Sequence, residues 1–345
     1  WARVDVTAPA VATISSISTD SGRSTSDKLT NDQTISITGS SEANSQVEVF
    51  LAGTSLGTTH SRGTCAWTYD YSGSKLPEGI HAFTAAVTDS AGNTGSTTSK
   101  FWVRVDVTNP NKPAFTGITT DSGSDATDEL TNDQGLVFAG TAEANSLVMV
   151  YDGMTKLGEV NTNGSGVFSF DYSATNLTEG AHIITATATD SAGNVSSSSD
   201  NFRVRIDITA PNTPTVDSIT VATGFDGSDG LTNDQTWVIA GTSEANANVE
   251  LFINGSSIGT TAANTSGAWS FDYTGTTLAA GDYMIKAEAT DSAANTSSRS
   301  SGYWARVDVT APAVATISSI STDSGRSTSD KLTNDQTISI TGSSE

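Results

Sequence analysis

Residues Cys65–Tyr71 read CAWTYDY, with Trp67, Tyr69 and Tyr71 alternating with Ala66, Thr68 and Asp70. Large rings at a spacing of two put one face of an extended strand inside a core and the other in water, because successive side chains point to opposite faces. The alternation returns as Phe168, Phe170 and Tyr172, and again as Trp269, Phe271 and Tyr273. This strand therefore belongs to a unit that the chain repeats. Asp5, Asp106, Asp207 and Asp308, each inside VDVT or IDIT, recur every 101 residues. Asp32, Asp133, Asp234 and Asp335 close TND triplets in the same register, and Asp89, Asp190 and Asp291 open DSAGN or DSAAN. Glu42, Glu143, Glu244 and Glu345 hold one further shared position. Residues 304–345 repeat residues 1–42 letter for letter, a shift of three units.

Each unit divides into short Val/Ile/Phe/Trp runs separated by Gly, Ser, Thr and Asn, with no amphipathic helical stripe. In the first unit the expected strands are Val11–Ser18, Gln33–Gly39, Gln46–Leu51, a short Leu56–Thr59, Cys65–Tyr71, Ile80–Thr88 and Thr97–Val107, with an acidic loop over Thr19–Asp32. Seven strands in this order predict an all-β fold of tandem seven-stranded immunoglobulin-like sandwiches in a linear array. The expected boundaries are the end of a last strand at 1–7, domains at 8–108, 109–209 and 210–310, and the start of a truncated fourth at 311–345. Because the pattern is already running at Trp1, the chain is expected to be a segment of a longer protein. Pro9, Pro110, Pro211 and Pro312 fix φ where one unit passes into the next.

Net charge is −22 at pH 7, which argues against nucleic acid or an anionic membrane surface as partner and in favour of divalent cations. No segment reads as a membrane insertion. A lone Cys65 provides no intrachain disulfide framework. The acids gather in loops: Asp121–Asp133 (DSGSDATDELTND) carries Asp121, Asp125, Asp128 and Asp133. Two carboxylates about 4 Å apart repel by roughly 4 kcal/mol at an effective dielectric near 20, so such a loop asks for a cation. In this topology the loop lies at the exit end of its domain and faces the proximal loops of the next. The first junction is then expected to combine Asp20, Asp27, Asp32 and Asp106 with Glu143, Asp190 and Asn194. The second combines Asp121, Asp128, Asp133 and Asp207 with Glu244, Asp291 and Asn295. Asp226, Asp229, Asp234 and Asp308 form the third, where Ala222 replaces the first loop aspartate, and Asp5, Glu42, Asp89 and Asn93 form the half preceding the first domain. Six acids and an amide oxygen match the six to eight hard oxygens Ca²⁺ takes, so several Ca²⁺ ions are expected at the junctions. One Cys and three His at unrelated places argue against zinc or copper.

Other features read as structural. Trp1, Trp102 and Trp304 are expected in partial core or interface packing rather than as sugar platforms, and Cys65 in an exposed turn. His81, His182 and Tyr283 share one strand position, which suggests packing. No nucleophile–base grouping recurs, so no enzyme is expected.

The motifs VDVTAP, LTND, the EAN turn and ATDSAGN together resemble the bacterial immunoglobulin-like tandem repeats of giant RTX, type I-secreted surface adhesins, over the whole chain. The resemblance implies an extracellular, cell-surface location, Ca²⁺ at domain junctions, and a rigid extender that holds a distal binding domain away from the cell. Its partners would be the neighbouring domains of the same chain. The alternative is the repeating subunit of a self-assembling extracellular filament, sheath or matrix fibre, with other copies as partners; near-identical units 303 residues apart suit a lattice as well as a stalk.

Overall fold

The computed structural model describes residues 3–219, 229–321, 326–327 and 329–345, and these residues hold strands, turns and no helix. The first sandwich contains β1 (Thr13–Ile17), β2 (Leu29–Thr30), β3 (Ser36–Ser40), β4 (Gln46–Leu51), β5 (Thr54–His60), β6 (Ala66–Asp70), β7 (Gly79–Thr88) and β8 (Phe101–Val105). One sheet has the order β1-β3-β6 and the other β2-β8-β7-β4-β5. The second sandwich repeats this with β9 (Ala114–Thr119), β10 (Leu130–Thr131), β11 (Val137–Thr141), β12 (Leu147–Asp152), β13 (Thr155–Asn161), β14 (Val167–Asp171), β15 (Gly180–Thr189) and β16 (Phe202–Ile206). The third has β17 (Thr215–Ile219), β18 (Leu231–Thr232), β19 (Val238–Thr242), β20 (Asn248–Ile253), β21 (Ser256–Ala262), β22 (Ala268–Asp272), β23 (Gly281–Thr290) and β24 (Tyr303–Val307). Strands β25 (Thr316–Ile320) and β26 (Ile340–Ser343) pair as an antiparallel ribbon. The chain divides into two compact units, 1–208 and 209–345.

The aromatic alternation behaves as its spacing requires. Trp67, Phe168 and Trp269 are buried while Ala66, Thr68 and Asp70 face water. Each buried ring contributes roughly 2–3 kcal/mol through the apolar surface it removes from water. The strand register places Gly39 opposite Trp67, Gly140 opposite Phe168 and Gly241 opposite Trp269. A Cβ at any of these glycines would collide with the facing ring and with a neighbouring strand's carbonyl, so the missing side chain is what lets the ring lie flat against the sheet. From the other sheet Val47, Val49, Phe83, Ala85, Val87, Val103 and Val105 complete the first core.

Three expectations change. Each complete sandwich has eight strands, not seven, because the acidic loop is interrupted by a two-residue strand that pairs parallel with the last one: Leu29 with Arg104 and Thr30 with Val105. The last strand is shorter than expected, beginning at Phe101 rather than Thr97, since the chain first makes an isolated bridge between Thr88 and Thr94. Trp102 and Trp304 are not core residues; they are 53% and 61% exposed. The reason is the pleat: Phe101, Val103 and Val105 take the inward positions of β8, which turns Trp102 out. Trp1 lies outside the described residues. Cys65 is free and exposed, in a turn at φ 66°. The shared His/Tyr position has a tethering role, with His81 Nε2 on Pro77 O, His182 Nε2 on Thr178 O, and Tyr283 OH donating to Ala279 O, each at 2.8 Å.

Candidate metal centre

The acidic loop is built around a left-handed turn. Lys28, Glu129 and Lys331 sit at φ 59°, 55° and 63°, and Gly230 holds the same place at 75°. A side chain in this region costs about 1–2 kcal/mol. The turn lays Leu29–Thr30 onto β8, and the first loop aspartate supports it. Asp20 Oδ2 accepts the Lys28 N–H at 3.0 Å, and Asp121 Oδ2 accepts that of Glu129 at 3.1 Å. The second oxygen, Oδ1, is buried without a hydrogen-bond partner in both Asp20 and Asp121. A buried acceptor left open costs about 1–3 kcal/mol, and more when it is charged. A bound cation is a partner that would remove this cost. The charge density is felt nearby: burial, then Asp121, Asp128 and Asp125, push the Glu129 carboxyl above its usual range.

The remaining loop acids cap their own backbone. Asp27, Asp128 and Asp229 accept the N–H two residues on, from Leu29, Leu130 and Leu231, at 3.0, 3.0 and 2.9 Å. Asp32, Asp133 and Asp234 do the same for Thr34, Gly135 and Thr236 at 2.8, 2.9 and 2.9 Å. These are Asx turns, a structural use of aspartate. The linker acids leave on the strand that pairs with the loop: Asp106, Asp207 and Asp308 donate N–H to Thr30, Thr131 and Thr232 carbonyls at 2.9 Å. Arg104 and Arg205 stand 3.5 and 3.6 Å from the Asp106 and Asp207 carboxylates, a pairing that the sequence reading did not weigh. Asp5 accepts the Thr7 N–H.

At the proximal end, Asp89, Asp190 and Asp291 each organise a DSAGN-type corner. In Asp190, Oδ1 accepts the Gly193 and Asn194 N–H groups and Oδ2 the Asn194 side-chain amide, at 2.8 to 2.9 Å. Asp89–Asn93 and Asp291–Asn295 repeat the pairing. The Asn93 amide, with its backbone, holds Asp89 below the usual carboxylate range despite partial desolvation. Glu42 and Glu143 anchor their turns by main-chain carbonyls, which accept from Ser61 and Thr162 hydroxyls, while Glu244 O accepts the Ala247 N–H. Burial, followed by Asp190 and Asp106, raises the Glu143 carboxyl. These three acids therefore share one electrostatic neighbourhood.

Between the first two sandwiches the exit loop, the linker and the proximal loops meet. Asn194 Nδ2 donates to Asp106 O at 2.9 Å, Ser21 Oγ to Ala192 O at 2.7 Å, and Arg23 Nη1 to Asn145 O at 3.1 Å. Gly22 and Gly193 face each other so closely that a Cβ on Gly22 would strike the Ser191 carbonyl. Asn93 Nδ2 makes the matching contact with Asp5 O at 3.3 Å. Ser21, Gly22, Arg23 and Ala192 were not singled out from the sequence; the small residues of DSG and SAG were the available signal. Among the described residues no three His, Cys, Asp or Glu side chains stand together as a metal cluster. Asp226 lies outside the described residues. Asp207 belongs to one compact unit, and Glu244, Asp291 and Asn295 to the other.

The sequence matches the model of the bacterial Ig-like domain at residues 6–108, 109–208 and 210–309. A search of curated proteins returns no match. Similar solved structures include a Ca²⁺-stabilized adhesin that helps an Antarctic bacterium bind ice, at 22% identity over 92% of this chain and 79% of that one, TM-score 0.44. Another is a 1.5-MDa bacterial ice-binding adhesin, described for host cell surface retention, at 21% identity over 87% of this chain and 98% of that one, TM-score 0.37. A third is a tetra-tandem repeat in the extending region of a large adhesion protein, at 22% identity over 89% of this chain and 76% of that one, TM-score 0.30. With three consecutive matches that together span most of its length, this chain belongs to the bacterial Ig-like domain family.

Proposed function

We propose that the chain is a calcium-rigidified extender of a large bacterial cell-surface adhesin, acting outside the cell and without catalysis of its own. The observation that carries this reading is the first junction. There the exit loop touches the proximal loops through Ser21 and Ala192, Asn194 holds the linker Asp106, Asp190 and Asp106 raise the Glu143 carboxyl, and the exit loop carries a buried Asp20 oxygen that lacks a partner. The residues offered to the ion are Asp20, Asp27, Asp32, Asp106, Glu143, Asp190 and the amide oxygen of Asn194, and the loop acids Asp121, Asp128 and Asp133 repeat the exit-loop part of the set. All are hard oxygen donors, the kind Ca²⁺ takes in number; Mg²⁺, which demands strict octahedral geometry and few carboxylates, fits less well. When bound, the ion supplies charge neutralisation and cross-links loops from two sandwiches. No helix among the described residues is long and apolar enough to cross a membrane.

Small-angle scattering of the chain in calcium and in chelator tests the reading: a longer, stiffer particle is expected with calcium, and equal dimensions would sink it. Calorimetric titration of Asp20→Asn and Asp190→Asn is expected to show that each removes a site. If only one does, the ligands do not come from two sandwiches. A filament or matrix subunit is the second reading, favoured by the exact repeat of residues 1–42 at 304–345. Electron microscopy separates the two, isolated strings favouring the extender and ordered bundles the filament.

A further inference from the structure

The outer face of the first sandwich carries an aromatic platform that neither its core nor the junction uses. In the β7–β8 pairing Ala82 lies opposite Trp102 and Ile80 opposite Arg104. The pleat that buries Val103 and Val105 leaves Trp102 and Ile80 53% and 68% exposed. Two grooves, of about 640 and 400 Å³, meet at these two residues. Lys100 borders the first groove, and Lys28 and Arg104 the second. Three cations at one spot stand out in a chain with 16 Lys and Arg against 38 Asp and Glu. Lys100 Nζ lies 5.5 Å from the Trp102 ring centre, and Lys28 Nζ 5.6 Å from that of Phe101. The acid on the groove wall, Asp27, has Oδ1 tied to the Leu29 N–H, and Arg104 is shared with Asp106 at 3.5 Å. In the second unit the places of Ile80, Trp102, Lys28 and Lys100 are held by Ala181, Arg203, Glu129 and Asn201; in the third, by Asp282, Trp304, Gly230 and Gly302. Of the three units, the first alone combines an open indole, an aliphatic floor and flanking lysines.

We propose that this groove binds an anionic polysaccharide, with one sugar ring stacked on Trp102 and its acidic groups received by Lys100, Lys28 and Arg104. An exposed indole offers a flat apolar face to the C–H face of a sugar, and its N–H edge remains able to meet a hydroxyl. In the free protein Lys100 Nζ rests over the Trp102 ring, and Lys28 Nζ donates to the Ser26 carbonyl at 3.3 Å beside Phe101; their flexible four-carbon stems let both ammonium groups swing out to a carboxylate or sulfate whose position varies along a polymer. Grooves on both sides of the indole suit a chain rather than a single ring. A second copy of this protein is a poorer occupant, because its acidic loops carry charge but little apolar surface to cover Ile80 and Trp102. The groove shares Asp27 with the calcium reading and, through Arg104, touches Asp106, whereas its aromatic and lysine groups are not offered to the ion; the test is therefore run in chelator.

The test uses the 345-residue chain in chelator, titrated with a hyaluronan oligosaccharide and, as the neutral control, a laminarin oligosaccharide, read by calorimetry and tryptophan fluorescence. Hyaluronan is expected to bind at least about tenfold more tightly than laminarin, and to weaken several-fold as salt rises from about 0.05 to 0.5 M, where screening shortens the reach of the lysines. W102A is expected to weaken binding at least about tenfold, as loss of a central aromatic anchor does. K100A should weaken it by a smaller factor, W102F should retain most of it, and K75A should change nothing. Equal affinity for the two sugars, unchanged binding in W102A with K100A, or absence of binding up to millimolar sugar would overturn the proposal. So would Trp102-dependent self-association in sedimentation without sugar binding, which would assign the face to a second copy.

Discussion

Two single residues carry consequences that can be measured. Gly140 faces Phe168, and a methyl group there would meet both the ring and the Ala114 carbonyl. Overpacking of this kind costs about 1–3 kcal/mol, so Gly140→Ala is expected to lower the melting temperature of the second sandwich while the others keep theirs. An unchanged melting profile would mean that the ring slides aside freely. His182 is buried, with Nδ1 2.7 Å from Asp152 Oδ2 and Nε2 2.8 Å from Thr178 O. Burial by itself would push the imidazole down. The Thr178 carbonyl and the Asp152 carboxylate, both acceptors, outweigh it and raise the ring above its usual 6.5, because only the doubly protonated form donates to both. A raised value in the folded state means stability fully present below 6.5 and lost as pH rises through the folded value. With only three histidines in the chain, NMR titration resolves the group. His182 is expected to titrate above 6.5 and to fall back in Asp152→Asn; titration below 6.5 in the parent chain contradicts the assignment.

At the scale of elements, the small strand inside the acidic loop decides how one sandwich presents itself to the next. Parallel pairing of β2 with β8 holds the loop beside the departing linker, and Gly22, at φ 91°, then meets the Ser191 carbonyl of the following sandwich. A β-branched residue at this φ costs about 1–2 kcal/mol within the loop and also fills the contact. Gly22→Val is therefore expected to open the first junction without melting either sandwich. Limited proteolysis near Thr108 should become several-fold faster while calorimetric transitions stay in place, and unchanged cleavage would show that the glycine contact is incidental. Much of this was legible in sequence. The strand Gln46–Leu51 appears with the bounds its alternation gives, and the aromatic strand lies within one residue of expectation at each end. The pair Leu29–Thr30 was not legible as a strand, because two residues carry no period and the surrounding Ser, Asp and Lys mask it. Its one signal was a leucine returning at 130 and 231 in an otherwise polar loop. Trp102 faces outward for a different reason: a place on the terminal strand does not say which way a residue points, and Phe101, Val103 and Val105 already take the inner face. As for the site, the loops that meet could be derived from topology. The direction of each carboxylate could not, since Asx turns and the left-handed position of Lys28 depend on backbone angles that spacing does not encode.

For the whole molecule the proposal of a calcium-rigidified extender turns on whether the ion would act at built sites or only screen a net charge of −22. The two mechanisms separate by concentration. Screening depends on ionic strength alone, with a Debye length of about 8 Å at 0.15 M and about 3 Å at 1 M monovalent salt. If the acids repel only as a diffuse charge, sodium chloride at about 1 M in chelator should reproduce the particle dimensions seen with calcium. If oxygens such as the partnerless Oδ1 of Asp20 and Asp121 await a ligand, a monovalent salt cannot satisfy them. Calcium should then stiffen the chain at concentrations too low to alter screening. Scattering along both titrations is expected to show saturable lengthening with calcium and only partial recovery with salt. The same series on Asp20→Asn with Asp121→Asn, which removes two of the charges held in these loops, should leave the salt response nearly intact and abolish most of the calcium response. Coincident curves for calcium and sodium at matched ionic strength would assign the stiffening to screening and leave these aspartates the purely structural task of holding their turns.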